Sequence, residues 1–214
     1  MNRRFLFVCL GILVLSNVQL FWAPGSAHVL AFDIAAVQAG EVWRILTFPL
    51  AHRSWYHLLV DALPLFLLLG LVPSCHRLGA VLAASFGSLL LPLVIAKDLA
   101  WLGLAGLSGA VYGVLALVTL RLAFRGDTHV LRLVGLGLFI GTLGKCGWEI
   151  IFQTEELFAA FNIGSVGVPV EESHLGGVLG ALAYAFVDRT TFFRSRPAPD
   201  QSSSAHGTPS LNCH

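Results

Sequence analysis

The chain has 214 residues, of which 56% are hydrophobic and only 12% charged, against the roughly 25% charged residues of soluble domains. That balance excludes a soluble globular domain with a large core and predicts an integral membrane protein. A formal net charge of +1 gives no basic surface for nucleic acid; Cys9, Cys75, Cys146 and Cys213 are widely spaced with no CxxC pair, so no metal or redox cofactor is expected.

The first apolar run, Phe5 to Ala23, follows Asn2-Arg3-Arg4. A positive start before an apolar stretch also describes a signal peptide. This run is longer than the usual signal core of about 7–15 residues. Five more hydrophobic segments follow it, so a retained first helix is the better reading. Pro24 to Ser54 then mixes apolar and polar residues, including Phe32-Asp33-Ile34, Gln38, Glu41-Val42-Trp43-Arg44 and His52-Arg53. Neither half is apolar enough to span, and Trp and Arg suit the lipid–water interface. A partly helical, membrane-embedded loop is expected there.

Five further spans are predicted: about Trp55 to Val72, Leu78 to Ala96, Ala105 to Ala123, Val130 to Phe152 and Ser173 to Val187. Each is near the length needed to cross a hydrocarbon core of roughly 30 Å. From Ser195 the chain is rich in Ser, Pro and small polar residues, the composition of a disordered tail. The expected organisation is a six-helix membrane domain over residues 1–194 and a disordered polar cytoplasmic tail over 195–214. Arg3, Arg4, Arg77, Arg121, Arg125, Arg132, Arg189, Arg194 and Arg196 fall on one side of that topology; Arg44, Arg53 and Lys97 fall on the other, and Lys145 lies within a span. The positive-inside rule then places both termini in the cytoplasm.

In this topology the fourth and sixth spans start from the same, outer side. Ser108 lies near the first turn of the fourth, in Gly106-Leu107-Ser108-Gly109-Ala110-Val111-Tyr112-Gly113. His174 lies near the first turn of the sixth, in Ser173-His174-Leu175-Gly176-Gly177-Val178-Leu179-Gly180. A serine hydroxyl is a weak nucleophile until a base takes its proton, and histidine is suited to that task. Gly109 and Gly113 form one small-xxx-small pair and Gly176 and Gly180 another, a spacing that lets helices approach closely in lipid. Tyr112, one turn below Ser108, can pack on an imidazole ring. Serines in membrane helices also bond back to their own helix, and histidines also sit at interfaces. These two stretches alone leave a catalytic and a structural reading open.

The second span adds His57 and Asp61, four residues apart on one helix face, just after His52. An aspartate inside a span costs about 2.5–3.5 kcal/mol on insertion scales, so it marks an interior or a wet cavity. It serves either function or a structural ion pair, with Lys145 as one partner. Lys145 and Glu149 are themselves one turn apart in the fifth span and are expected to pair with each other, chiefly as structure.

Together these residues resemble the rhomboid intramembrane serine proteases. The resemblance rests on six spans, the Gly106-x-Ser108-Gly109 serine, the His174 segment, Glu41-Val42-Trp43-Arg44 followed by His52, and His57-x-x-x-Asp61 in place of the family's HxxxN signature. It covers about residues 30–188. Within the family, Phe32-Asp33, Gly40-Glu41-Val42-Trp43-Arg44, Lys145-Cys146-Gly147-Trp148-Glu149 and Glu172-Ser173-His174-Leu175 are most like the rhombosortase branch. The resemblance implies an all-α, six-transmembrane-helix rhomboid-like bundle with a membrane-embedded first loop. It implies Ser108 as nucleophile and His174 as general base, with Tyr112 stacked on that histidine. His52, His57, Gly106 and the Ser108 N–H would support the oxyanion. It further implies no cofactor and a membrane-anchored protein substrate in the bilayer of a bacterial inner membrane, such as a C-terminal sorting tail.

Asp61 departs from the pattern. An asparagine donates to an oxyanion; an aspartate does so only when protonated. Two other readings therefore stand beside the protease. One is a weak or inactive rhomboid-like protein that binds transmembrane segments, and the other is a small transporter or channel with Asp61, Lys145 and Glu149 on its pathway.

Overall fold

A chain this apolar satisfies its backbone polar groups by coiling, because lipid offers none in exchange. The computed structural model describes residues 3–23, 28–95, 103–152 and 170–187. The 195–214 tail, Ala96, Lys97, Arg189, Arg194 and Arg196 lie outside the described residues. The helices are α1 (Arg3–Ser16), α2 (Ile34–Gln38), α3 (Arg44–Thr47), α4 (Trp55–Leu71), α5 (Arg77–Ile95), α6 (Ser108–Arg125), α7 (His129–Phe152) and α8 (Glu171–Val187). The larger helices fall within a few residues of the expected spans. By length and composition three of the described helices can cross a membrane: α5 with the turn before it, α6 and α7. Arg44–Leu50 and Trp55–Leu71, bent by 89° at their junction, give a fourth if counted as one span.

Helix α6 packs on all four of α4, α5, α7 and α8, and α8 packs chiefly on α5 and α6 and more lightly on α7. In lipid, helix association rests on close packing rather than on escape from water. The chain achieves this with glycine. A Cβ on Gly177 would overlap the carbonyl oxygen of Gly109, and a Cβ on Gly176 would overlap that of Gly87. The two glycine pairs of α6 and α8 do not simply face each other, as their spacing suggests. Gly177 meets α6, whereas Gly176 and Gly180 lie against Gly87 and Ala83 of α5. The adjacent Gly176 and Gly177 thus fit α8 between two neighbours at once. Leu65, Leu69, Ala84, Val114, Leu117 and Ala181 fill the space among α4, α5, α6 and α8. The outer face of α7 stays apolar and exposed, with Leu133 and Ile151 pointing away from the bundle, as a lipid-facing helix requires.

The first apolar run does not continue as one helix to Ala23. Helix α1 ends at Ser16 and a short 3-10 turn follows at Val18–Phe21. The break is made by Asn17, which has no exposed surface. Its Nδ2 donates to Leu13 O at 2.8 Å and to Leu50 O at 2.7 Å, and its Oδ1 accepts from His52 N at 2.8 Å. One amide therefore fastens the loop before α4 to the end of α1.

The expected membrane-embedded loop is partly helical and is tied down by its polar residues. Arg44 donates to the carbonyls of His28 and Ala31 at 3.1 and 2.8 Å and pairs with Glu41 at 2.6 Å. Asp33 caps α2 by accepting from Ala36 N at 2.8 Å. Two short strands, β1 (Phe32–Asp33) and β2 (Gly103–Leu104), pair antiparallel with Phe32 opposite Leu104. Phe32, Phe48, Leu89 and Leu104 bury together beneath this ladder. The loop is thereby joined to the segment that leads into Ser108.

Two predictions follow from this packing. Gly177→Leu should destabilise the protein by about 3 kcal/mol or more, because the new side chain has only backbone to displace. Gly137→Leu, where nothing lies within 4 Å, should be close to neutral. Thermal unfolding in detergent compares the two. Asn17→Ala should cost about 1–3 kcal/mol by leaving the buried His52 N–H without its acceptor and cutting the amide link to Leu50, read by the same unfolding measurement.

Candidate active site

Two polar clusters flank the start of α6. The first is built on α4. Ser54 caps this helix, its Oγ accepting from His57 N at 3.0 Å, and so fixes the first turn. The i, i+4 spacing then places His57 and Asp61 on one face, both buried. His57 Nε2 lies 3.4 Å from Asp61 Oδ2, and His52 Nε2 lies 3.6 Å from the same oxygen. The two rings meet edge-on at 5.1 Å between centroids.

The same carboxylate oxygen accepts a hydrogen bond from Leu107 N at 2.7 Å. Gly106, just before it, has φ +107° and donates its N–H to Phe48 O at 3.2 Å. Any other residue there would meet a backbone penalty. It would also meet a steric one, since a Cβ would lie 2.7 Å from Asp61 Oδ2 and 2.8 Å from His57 Nε2. Gly106 is therefore needed for the turn that seats Leu107 on Asp61. Ser108 then opens α6 at a position set by the carboxylate beneath it.

Tautomers follow from the remaining partners. The Arg53 N–H points to His57 Nδ1 at 3.4 Å, so in neutral His57 the proton sits on Nε2 and faces Asp61. His52 Nδ1 lies 3.3 Å from the Leu50 carbonyl, which can only accept, so its proton sits on Nδ1. His52 Nε2, buried and with no hydrogen-bond partner among the described residues, faces Asp61 Oδ2. Asp61 thus acts here chiefly as an acceptor, and Lys145 is not its partner among the described contacts.

The second cluster is built on α6, α7 and α8. His174, 8% exposed, stacks on Tyr112 with ring centroids 4.4 Å apart and planes 29° from parallel. Its Nδ1 lies 3.1 Å from Glu149 Oε2. Glu149 Oε1 pairs with Lys145 Nζ, and that ammonium sits 4.5 Å from the centroid of the Tyr112 ring. Lys145 and Glu149 are paired, as their spacing suggests, but the pair is also tied to the histidine.

Ser108 and His174 are brought to one end of the bundle. Gly109, the residue after Ser108, lies against Ser173 and Gly177, the residues that bracket His174. The hydrogen bonds among the described residues include none between the Ser108 hydroxyl and the His174 ring. Such bonds are often long in unliganded sites and tighten when substrate binds. The Ser108 N–H, first in α6, has no carbonyl within its own helix to bond to and remains a donor for an incoming oxygen. The Leu107 N–H is taken by Asp61 and is not available for that purpose.

Sequence reasoning passed over Asn17 and assigned Glu149 no tie to His174. Asn17 had a signal, an amide inside a long apolar run. The Glu149 contact had only a weak one, because its i, i+4 lysine already supplied a sufficient partner.

Among curated proteins, none matches the chain. The family model of the rhomboid domain matches residues 39–191, from the end of α2 to just past α8. That span includes His52, His57, Asp61, Gly106, Ser108, Tyr112 and His174, and with the apolar helices it makes this an integral membrane protein. The chain belongs to the rhomboid family, whose members are in general intramembrane serine proteases.

Proposed function

We propose that this chain is an intramembrane serine endopeptidase that uses Ser108 and His174 to cut membrane-anchored proteins. The observation that carries the reading is the seating of His174. Its ring is stacked on Tyr112, its Nδ1 is engaged by Glu149, and its helix touches the first turn of α6. This leaves Nε2 as the nitrogen for the serine. In the reaction Ser108 Oγ attacks the scissile carbonyl carbon and its proton passes to His174 Nε2. The oxyanion takes the Ser108 N–H at the positive end of α6, while His52 and His57, whose N–H groups face Leu50 and Asp61, support the turn that presents it. The imidazolium then protonates the leaving amine. Water, deprotonated by the same nitrogen, hydrolyses the acyl ester and frees the serine.

Six spans with both termini cytoplasmic in a bacterial inner membrane would open this site to the outer side. The features shared with the rhombosortase branch support a C-terminal sorting tail as the substrate class. Oligomeric state does not enter the mechanism.

Ser108→Ala and His174→Ala should each abolish cleavage of a co-expressed tail-anchored substrate while the protein still accumulates folded. Undiminished cleavage by either variant would remove the dyad; folded wild-type protein with no cleavage at all would favour a rhomboid-like binder of transmembrane segments. Solute flux indifferent to Ser108→Ala would favour a transporter.

Asp61 is proposed as the residue that positions this machinery by holding Leu107, His52 and His57. Asp61→Asn should then slow cleavage roughly 10–100-fold, less than the loss of a full oxyanion donor. Activity kept or raised in that variant would instead give Asp61 the donor role of an amide.

A further inference from the structure

An i, i+4 Lys–Glu pair inside a membrane helix needs no third group. Each charge neutralises the other, and the pair can be entirely structural. Lys145 and Glu149 do more than that. The carboxylate places one oxygen on Lys145 and the other 3.1 Å from His174 Nδ1, on a different helix. The ammonium lies over the Tyr112 ring, which stacks on the face of His174. Four side chains from α6, α7 and α8, His174 among them, thus close a ring of contacts. Side-chain exposures are 20% for Lys145, 14% for Glu149 and 10% for His174, and Tyr112 is half-buried. A glutamate that served only Lys145 would have no reason to aim its second oxygen at the histidine.

We propose that Glu149 is a positioning residue for the hydrolytic reaction and completes a Ser108–His174–Glu149 triad. The inference rests on the Ser108–His174 reading above. A carboxylate can only accept, so Glu149 fixes the His174 proton on Nδ1 and leaves the Nε2 lone pair for Ser108. When His174 takes the serine proton, the adjacent carboxylate stabilises the imidazolium. Lys145 shares the negative charge of Glu149, so the carboxylate is held in place without an unbalanced charge in the span. Tyr112 closes the remaining face of the ring. Among the described residues His174 meets Glu149 from α7 and Tyr112 from α6, with Lys145 behind both and Glu171 an electrostatic neighbour on its own helix.

A fluorophosphonate probe on the full-length protein in detergent tests this directly. Ser108 Oγ bonds to phosphorus, fluoride leaves, and the serine proton goes to His174, so the labelling rate reads activation of the serine without a known substrate. The maximal labelling rate of Glu149→Gln should fall by about 10²-fold with little change in half-saturating probe. Glu149→Asp should recover part of the loss, which a purely structural ion pair would not require. If Glu149→Gln fails to fold once Lys145 loses its carboxylate, the double variant Lys145→Met/Glu149→Gln carries the same comparison. Labelling of either folded glutamine variant at the wild-type rate, with labelling still lost in Ser108→Ala, would overturn the triad and leave the serine–histidine reading intact. Wild-type protein not labelled through Ser108 would overturn that reading, and the triad with it.

Discussion

Backbone contact between helices is the constraint on which the rest depends. The carbonyls of Gly109 and Gly87 occupy the space that side chains on Gly177 and Gly176 would fill. Helix α8 can therefore lie directly on α5 and α6, and the first turn of α6 comes beside the first turns of α8. In lipid, where apolar side chains gain little by leaving their solvent, this close packing is what association rests on. In the proposed mechanism it also decides whether the base reaches the serine. A His174 held one side chain further away would face α6 across a gap that an imidazole cannot bridge to a serine hydroxyl.

The polar groups admitted to this apolar bundle are then disposed in two sets. Asp61 gathers His52, His57 and the Leu107 N–H, and by seating Leu107 sets where α6 begins. Glu149 gathers Lys145 and His174, with Tyr112 against both. An isolated charge in either place would be costly. Each set instead brings partners together: the Asp61 set holds Leu107, next to Ser108, and the Glu149 set surrounds His174. Asn17 extends the first set outward, tying the His52 backbone to the end of α1.

Much of this was legible in the residues themselves. Runs of apolar sequence marked α4 to α8 to within a few residues, because a helix that meets lipid must be apolar along most of its length. Ser108, His174 and Tyr112 could be read as one site because topology put two helix starts on the same side. The residues that fell outside that logic are those whose partners are distant in sequence. Asn17 ends α1 early through bonds to Leu50 and His52, which no local pattern announces. The spacing of Gly176 and Gly180 announces a helix contact but not that the partner is α5. Glu149 looked sufficient with Lys145, and only the packing of α7 against α8 shows its second oxygen at His174. Asp61 was legible as costly and therefore meaningful, but its role as an acceptor depends on a loop that folds back onto it.

The central claim is that Ser108 cuts anchored proteins in the membrane. Its most direct test is a comparison of protein C-termini in envelope fractions from cells carrying wild-type protein or Ser108→Ala, measured by mass spectrometry. A set of proteins should keep a C-terminal membrane anchor in Ser108→Ala and lose it in wild type. Identical termini in the two, with the protein present and folded in both, would contradict it.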